Sequence, residues 1–285
     1  MAILSLPKEI RQIIPITKDN EVVRLRAECN VVIDTSQCKI LSTEPFVFTC
    51  DNIKYAFVKN PSDKFPKGCR FVVQMKLKPR KRAFERENIE FVRWLQHPSI
   101  DNSTPKDIVD SWNEKFKYRK ENIEKGIKGL RAPQLGALYA FMSEAQNTKG
   151  RNIIVMPTVT GKTETMLSIL IANQCDKLLV TVPSDALRSQ LAEKFITIGV
   201  LPKFGIVSKD CKRPYVGIAR RGMDIEEWKR LIDQSNVVVT TMPLLCKCPH
   251  EVISLLKKSF SHVFIDEAHH TEATSWRRFI ESFDD

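Results

Sequence analysis

No apolar run in this sequence approaches the ~18–20 residues that a membrane span requires. The opening residues, MAILSLPKEIRQ, stay apolar only until Lys8, Glu9 and Arg11, too short a run for the apolar centre of a signal peptide. Together these absences point away from a membrane protein or a secreted one. They place the chain in the cytoplasm, or in the nucleus of a eukaryotic cell, with no membrane partner. CxxC pairs are absent as well, although there are eight cysteines. Cys29, Cys38, Cys50, Cys69, Cys175 and Cys211 are widely scattered, which argues against a disulfide framework. Cys246, Cys248 and His250 form a CxCxH cluster, but a tetrahedral zinc site needs a fourth ligand and usually a second pair. None follows at suitable spacing, so no metal is expected there.

What remains is the composition of an ordinary soluble protein, 42% hydrophobic and 28% charged. Its 285 residues suffice for two compact domains. The formal net charge is +11, and it is uneven: residues 1–130 hold 25 Lys and Arg against 17 Asp and Glu. A basic protein attracts polyanions, of which nucleic acid is the commonest in a cell. A surface that is merely rich in lysine accounts for the charge equally well.

Residues 20–80 favour strands: VVIDT at 31–35, FVFTC at 46–50, YAFVK at 55–59 and RFVVQMKL at 70–77. They are β-branched and aromatic, and turn signals such as NPSD and FPKG separate them. A small β-rich domain is expected over 1–83. Its last strand runs into KLKPRKR, where Lys78, Arg80 and Lys81 sit among further basic residues. The segment reads as a phosphate-contacting patch, a nuclear localisation signal or a solvated strand end. A helical connector is expected over 84–125. Phe84, Ile89, Val92, Trp94 and Leu95 make an apolar helical face, and Thr104, Pro105 and Asp107 form a helix start.

From about residue 126 strands and helices alternate. The strands are IIVMP at 153–157, KLLVTVP at 177–183, FGIVS at 204–208, NVVVTTM at 236–242 and HVFID at 262–266. Helices are expected over 162–173, 185–198 and 224–234, the last opened by the acidic cap DIEE. Near-continuous apolar strands between helices indicate a parallel sheet buried on both faces. Ligands of such sheets sit beyond the carboxyl ends of the strands.

The first of these strands leads into TVTGKTE. Gly161 lets backbone approach a phosphate, successive N–H groups at a helix start attract anions, Lys162 neutralises phosphate oxygens, and the Thr163 hydroxyl suits Mg²⁺. About a hundred residues later another apolar strand ends in Asp266-Glu267-Ala268-His269. One carboxylate there suits Mg²⁺ and the next suits activation of water.

MPTVTGKT, VTVPSDALRSQ at 180–190, VVVTTM at 237–242 and FIDEAHH at 264–270 resemble motifs I, Ia, Ic and II of superfamily 2 helicases. RAPQLGAL at 131–138 resembles the adenine-reading segment ahead of motif I. DEAHH followed by TEATSW is similar to the DEAH-type motors related to type I and III restriction-enzyme translocase subunits. The resemblance covers 131–285 and implies a P-loop, RecA-like parallel α/β sheet flanked by helices, with ATP and Mg²⁺ as cofactors. Matched residue by residue, Arg131 and Gln134 read adenine, while Pro157, Thr158, Val159, Thr160, Gly161, Lys162 and Thr163 hold the phosphates. Thr163 and Asp266 ligate Mg²⁺. Glu267 orients the hydrolytic water, and His269 links the nucleotide site to later motifs. Pro183, Ser184, Leu187, Arg188 and Gln190 of motif Ia and Thr240 and Thr241 of motif Ic track one nucleic-acid strand, with DNA favoured over RNA.

Two departures stand out. The family has glycine where this chain has Val159. The chain also stops at Asp285 before the Ser/Thr-Ala-Thr motif, so the second motor domain, whose arginine fingers contribute ~10³–10⁵ in rate, is expected beyond it. The resemblance thus implies the front part of an ATP-dependent helicase or translocase in restriction or phage defence, with negligible turnover alone. The alternative is a nucleic-acid sensor or adaptor whose RecA-like domain turns over little. A protein partner for the N-terminal domain stays open.

Overall fold

The computed structural model describes residues 3–61, 63–77, 81, 84, 89–147, 153–156 and 160–266. The chain forms two compact units, one of Met1–Gln12 with Leu25–Asn102 and the other of Ile13–Arg24 with Ser103–Asp285. The divisions between these units fall at 12, 24 and 102.

In the first unit, β5 (Lys39–Thr43), β6 (Phe46–Cys50), β7 (Ile53–Val58), β8 (Phe71–Met75) and β9 (Phe91–Gln96) form a sheet in that order. Only the β7–β8 pair is parallel. β6 turns into β7 through Asp51 and Asn52, both at positive φ, as a two-residue hairpin of matching twist requires. Alternation then sorts the side chains. Phe46, Phe48, Tyr55, Phe57, Phe71 and Val73 share one face with Phe84 and Trp94, while Val47, Ala56, Val58 and Val72 pack on the other. β1 (Ile3–Ser5) pairs antiparallel with β4 (Val32–Asp34). Trp94 Nε1 donates to the Pro7 carbonyl at 2.9 Å.

β9 replaces part of the helix expected over 84–96. The spacing of Val92, Trp94 and Leu95 fits a helix, but pairing with β8 sets Trp94 opposite Val73 and buries it, leaving Val92 half exposed. Cross-strand burial has overridden local periodicity.

In the second unit, β13 (His262–Ile265), β10 (Leu178–Val182), β12 (Val237–Thr241) and β11 (Val216–Ile218) lie side by side, all parallel. Every residue of β10 and β12 is buried, as strands covered on both faces should be. β3 (Glu21–Glu28) continues the sheet antiparallel to β11, with β2 (Glu9–Pro15) beyond it. At that seam Gly217 has no room for a side chain, since a Cβ would lie 2.6 Å from Ser235 Oγ. Arg24 is buried beside it, its Nε donating to the Arg213 carbonyl and its guanidinium over the Tyr215 ring.

The helices include α1 (Pro105–Asp110), α2 (Ala132–Asn147), α3 (Lys162–Ala172), α4 (Asp185–Thr197), α5 (Ile225–Asp233), α6 (Met242–Leu245) and α7 (His250–Ser259). Thr104 with Asp107 and Asp224 with Glu227 form the two reciprocal caps expected at α1 and α5. Two expected strands do not form. Residues 204–208 are not a strand: Phe204 and Gly205 are a turn, with Gly205 at positive φ, Val207 makes one isolated bridge to Phe116, and the strand lies at β11 instead. Residues 153–156 are not a strand, and Ile153 and Val155 are 79% and 89% exposed. Among the described residues no helix is long and apolar enough to cross a membrane.

The strand at 91–96 is tested by two truncations. Trp94→Ala should cost ~3–5 kcal/mol in chemical denaturation, and Val92→Ala less than ~0.5 kcal/mol. Equal costs would restore the helix.

Candidate functional site

The phosphate-loop candidate is described from Thr160 onward; Pro157, Thr158 and Val159 lie outside the described residues. Gly161 precedes the first turn of α3 in the left-handed region, φ 89° and ψ 49°. Side chains other than glycine are strained there, and a Cβ would stand 2.1 Å from Gln134 Nε2. The helix start is therefore bare of side chain where its N–H groups begin, the arrangement that admits an anion. Lys162 and Thr163 follow on the first turn, both half-buried. Thr165 braces the loop from behind, its hydroxyl 3.3 Å from the Gly161 carbonyl.

Gln134 is buried in α2 and spends both ends of its amide on protein. Its Oε1 accepts from the Arg131 N–H at 2.8 Å, and its Nε2 donates to the Gly161 carbonyl at 3.2 Å. The two parts of the expected nucleotide site are thus hydrogen-bonded to each other. In front of the α2 start lies an open recess of about 440 Å³ lined by residues 120–124 and Ala132.

Four of the remaining expected residues stand along one edge of the sheet. Parallel pairing puts Thr181 level with Thr240 and Ile265, and Val182 level with Thr241. Pro183, Ser184, Thr241 and Asp266 accordingly stand at carboxyl ends of adjacent strands, where α/β sheets bind ligands. The Asp266 N–H donates to the Thr181 carbonyl at 2.9 Å. Ser184 caps α4, accepting from the Leu187 N–H at 3.4 Å, and Leu187 is half-buried while Gln190 is exposed. Thr240 is sealed inside the sheet, its hydroxyl 3.5 Å from the Ala219 carbonyl, and Thr241 is buried ahead of α6. Glu267 and His269 lie outside the described residues, as do Lys78 and Arg80. Lys81 is exposed in the first unit. Cys248 follows α6 and donates to the Leu244 carbonyl, and burial, then Cys246, pushes its pKa up to about 11.

The family described as "Type III restriction enzyme, res subunit" matches residues 127–285, more than half of the chain. The chain belongs to this family. That makes it a superfamily 2 helicase-type protein related to restriction enzymes, with a RecA-like fold over the matched residues. Solved structures with similarity include the UvsW helicase from Bacteriophage T4, at 18% identity and TM-score 0.40 over 65% of this chain and 57% of that one. A hypothetical ATP-dependent RNA helicase from Sulfolobus tokodaii matches at 20% identity and TM-score 0.39, over 62% of this chain and 46% of that one. The DUF1998 helicase MrfA matches at 19% and 0.37, over 65% and 28%. The chain spans less than two thirds of each. No curated protein matches.

Sequence reasoning named Arg188 but missed two arginines and an asparagine at the same edge of this family's domain. Arg188 is buried on α4, its guanidinium 2.6 Å from Asp185. Burial lowers its pKa, Asp185 opposes that, and the charges of Arg220 and Arg221 lower it further. Those two arginines follow β11, and Asn20 of the β2–β3 turn holds their backbone: its Oδ1 accepts from the Arg220 N–H at 2.5 Å. The Arg-Arg pair directly after an apolar run was a usable signal; the partnership with Asn20, far away in sequence, was not.

The Gly161–Gln134 contact yields a coupling. Gly161→Ala should cost ~1–3 kcal/mol through backbone strain and displacement of the amide. In the Gln134→Ala background the displacement disappears, so the two costs should fall short of additivity by at least ~0.5 kcal/mol. Thermal denaturation of the four proteins measures this, and additive costs would contradict the close approach.

Proposed function

We propose that the chain is part of an ATP-dependent nucleic-acid helicase or translocase whose second unit binds Mg–ATP and one nucleic-acid strand. The observation that carries this reading is the left-handed Gly161 directly before Lys162 and Thr163 at the start of α3, in a chain of this family. A bare helix start, a cation and a first-turn hydroxyl together suit a triphosphate. Lys162 neutralises its β and γ oxygens, and Thr163 with Asp266 would hold Mg²⁺. The ion supplies charge neutralisation for phosphoryl transfer. Glu267 orients the attacking water as general base, and His269 couples that site to the rest of the motor. Arg131 and Gln134 read the adenine edge, for which the Gln134 amide exchanges its bonds to Arg131 and Gly161 for bonds to the base. Thr160 and the three residues before it complete the loop.

The strand, with DNA favoured over RNA, lies along the carboxyl edge at Pro183, Ser184, Arg188 and Thr241, with Thr240 supporting from inside the sheet. Lys78, Arg80 and Lys81 offer further phosphate contacts, and the first unit offers a surface for a protein partner. The setting in this reading is restriction, the activity that the family's description names, or phage defence.

Calorimetric titration with ATP and Mg²⁺ tests the nucleotide part. Binding should be measurable and at least tenfold weaker in Lys162→Ala; equal affinity in that variant overturns the assignment.

A further inference from the structure

At the far end of α3 from Gly161 stands a histidine whose protonation the surrounding hydrogen bonds dictate. His262 opens β13, level with Leu178 of β10. It is half-buried, and the Phe141 ring of α2 lies 6.3 Å from its own. Both ring nitrogens are engaged. Nδ1 is 3.0 Å from Ser261 Oγ, and Nε2 is 3.0 Å from Nδ2 of Asn173, the residue that caps the end of α3.

Ser261 decides which nitrogen carries the hydrogen. Its hydroxyl donates to the Lys177 carbonyl at 2.8 Å and accepts from the Lys177 N–H at 3.2 Å. The single hydroxyl hydrogen is thus committed, and only a lone pair is left for His262. Nδ1 must therefore be the N–H of the neutral ring. Nε2 is then bare and accepts from the Asn173 amide. A second proton falls on Nε2, where it meets the amide hydrogens and breaks the bond. Turning the amide over restores a bond to the ring but takes Nδ2 away from Cys175 Sγ, now 3.8 Å from it.

Burial is the cause that holds the His262 pKa below its ordinary value. Among the described residues, the charged groups near this end of the packed elements are Glu144 on α2, Asp176 and Lys177 ahead of β10, and Lys257 and Lys258 on α7. None of them moves the His262 pKa. Glu144, Asp176 and Lys258 are exposed, and the Lys177 ammonium donates to the Ile232 and Ser235 carbonyls. Burial pushes the Cys175 thiol up to about 12, so it stays neutral. Lys162 and Glu164 belong to the opposite end of α3.

We propose that His262 is a pH-sensitive latch, which ties the end of α3 to the start of β13 as the neutral ring and releases them as the imidazolium. The helix and the strand carry Thr163 and Asp266 at their other ends, ~16 Å away along α3. The latch thus holds the two elements behind those residues against each other, and it operates with or without a nucleotide. The folded pKa is below the ordinary ~6.5. Its contribution to stability is therefore complete above pH ~6.5 and is lost as pH falls through that value and then through the folded pKa.

Nitrogen NMR of the full chain labelled with ¹⁵N-histidine tests the latch, and the His262→Gln spectrum identifies its signals among those of the five histidines. At about pH 7.5 the hydrogen should be on Nδ1, and titration should give a pKa below ~6.5. Asn173→Asp puts a carboxylate where the amide was and favours the charged ring. The His262 pKa should then rise above ~6.5. The fall in Tm between about pH 7.5 and about pH 5.5 should also be smaller than in the unaltered chain. A contact that only fills space would leave that fall unchanged. Hydrogen on Nε2 at about pH 7.5 overturns the proposal, and so does a His262 pKa that Asn173→Asp leaves in place. If that variant does not fold, the nitrogen that carries the hydrogen in the unaltered chain decides alone.

Discussion

Everything in the second unit follows from the complete burial of β10 and β12. Two strands without one exposed residue can hydrogen-bond only sideways, and their faces must be covered. The parallel direction that results brings all carboxyl ends to one edge. Polar chemistry excluded from the middle of the sheet has only that edge to occupy. Ser184, Thr241 and Asp266 stand there because register leaves them nowhere else, and α4 begins there because Ser184 caps it.

Features written locally were legible. The apolar runs of β10, β12 and β13, the helix starts at 162, 185 and 225, and the caps at Thr104 and Asp224 each depend on a few neighbouring residues. The glycine before α3 was legible for the same reason: the left-handed position, the lysine and the threonine are contiguous. Motif likeness carried the family assignment, and the match over 127–285 agrees with it.

What was lost depends on distant partners. β11 is three residues long and is a strand because β12 and β3 hold its two sides, so no run of that length could announce it. Residues 204–208 have the composition of a strand, yet Gly205 turns the chain there. Trp94 fits two periodicities, and only pairing with β8 decides between them. Asn20 looks like any turn residue until the loop after β11 is brought beside it.

The seam between β3 and β11 also sets a timetable. Asn20 and Arg220 are separated by 200 residues. At ~5–20 residues per second on a ribosome, the interval between their appearances is about 10–40 s. Throughout it β3 exists without the neighbour that completes its pairing, and an unpaired strand edge is what chaperones and aggregation compete for. Closure across so long a stretch of chain is slow compared with local helix formation. The sheet thus finishes with an early-made strand and a late-made one, and until they meet the β3 edge stays open to wrong partners.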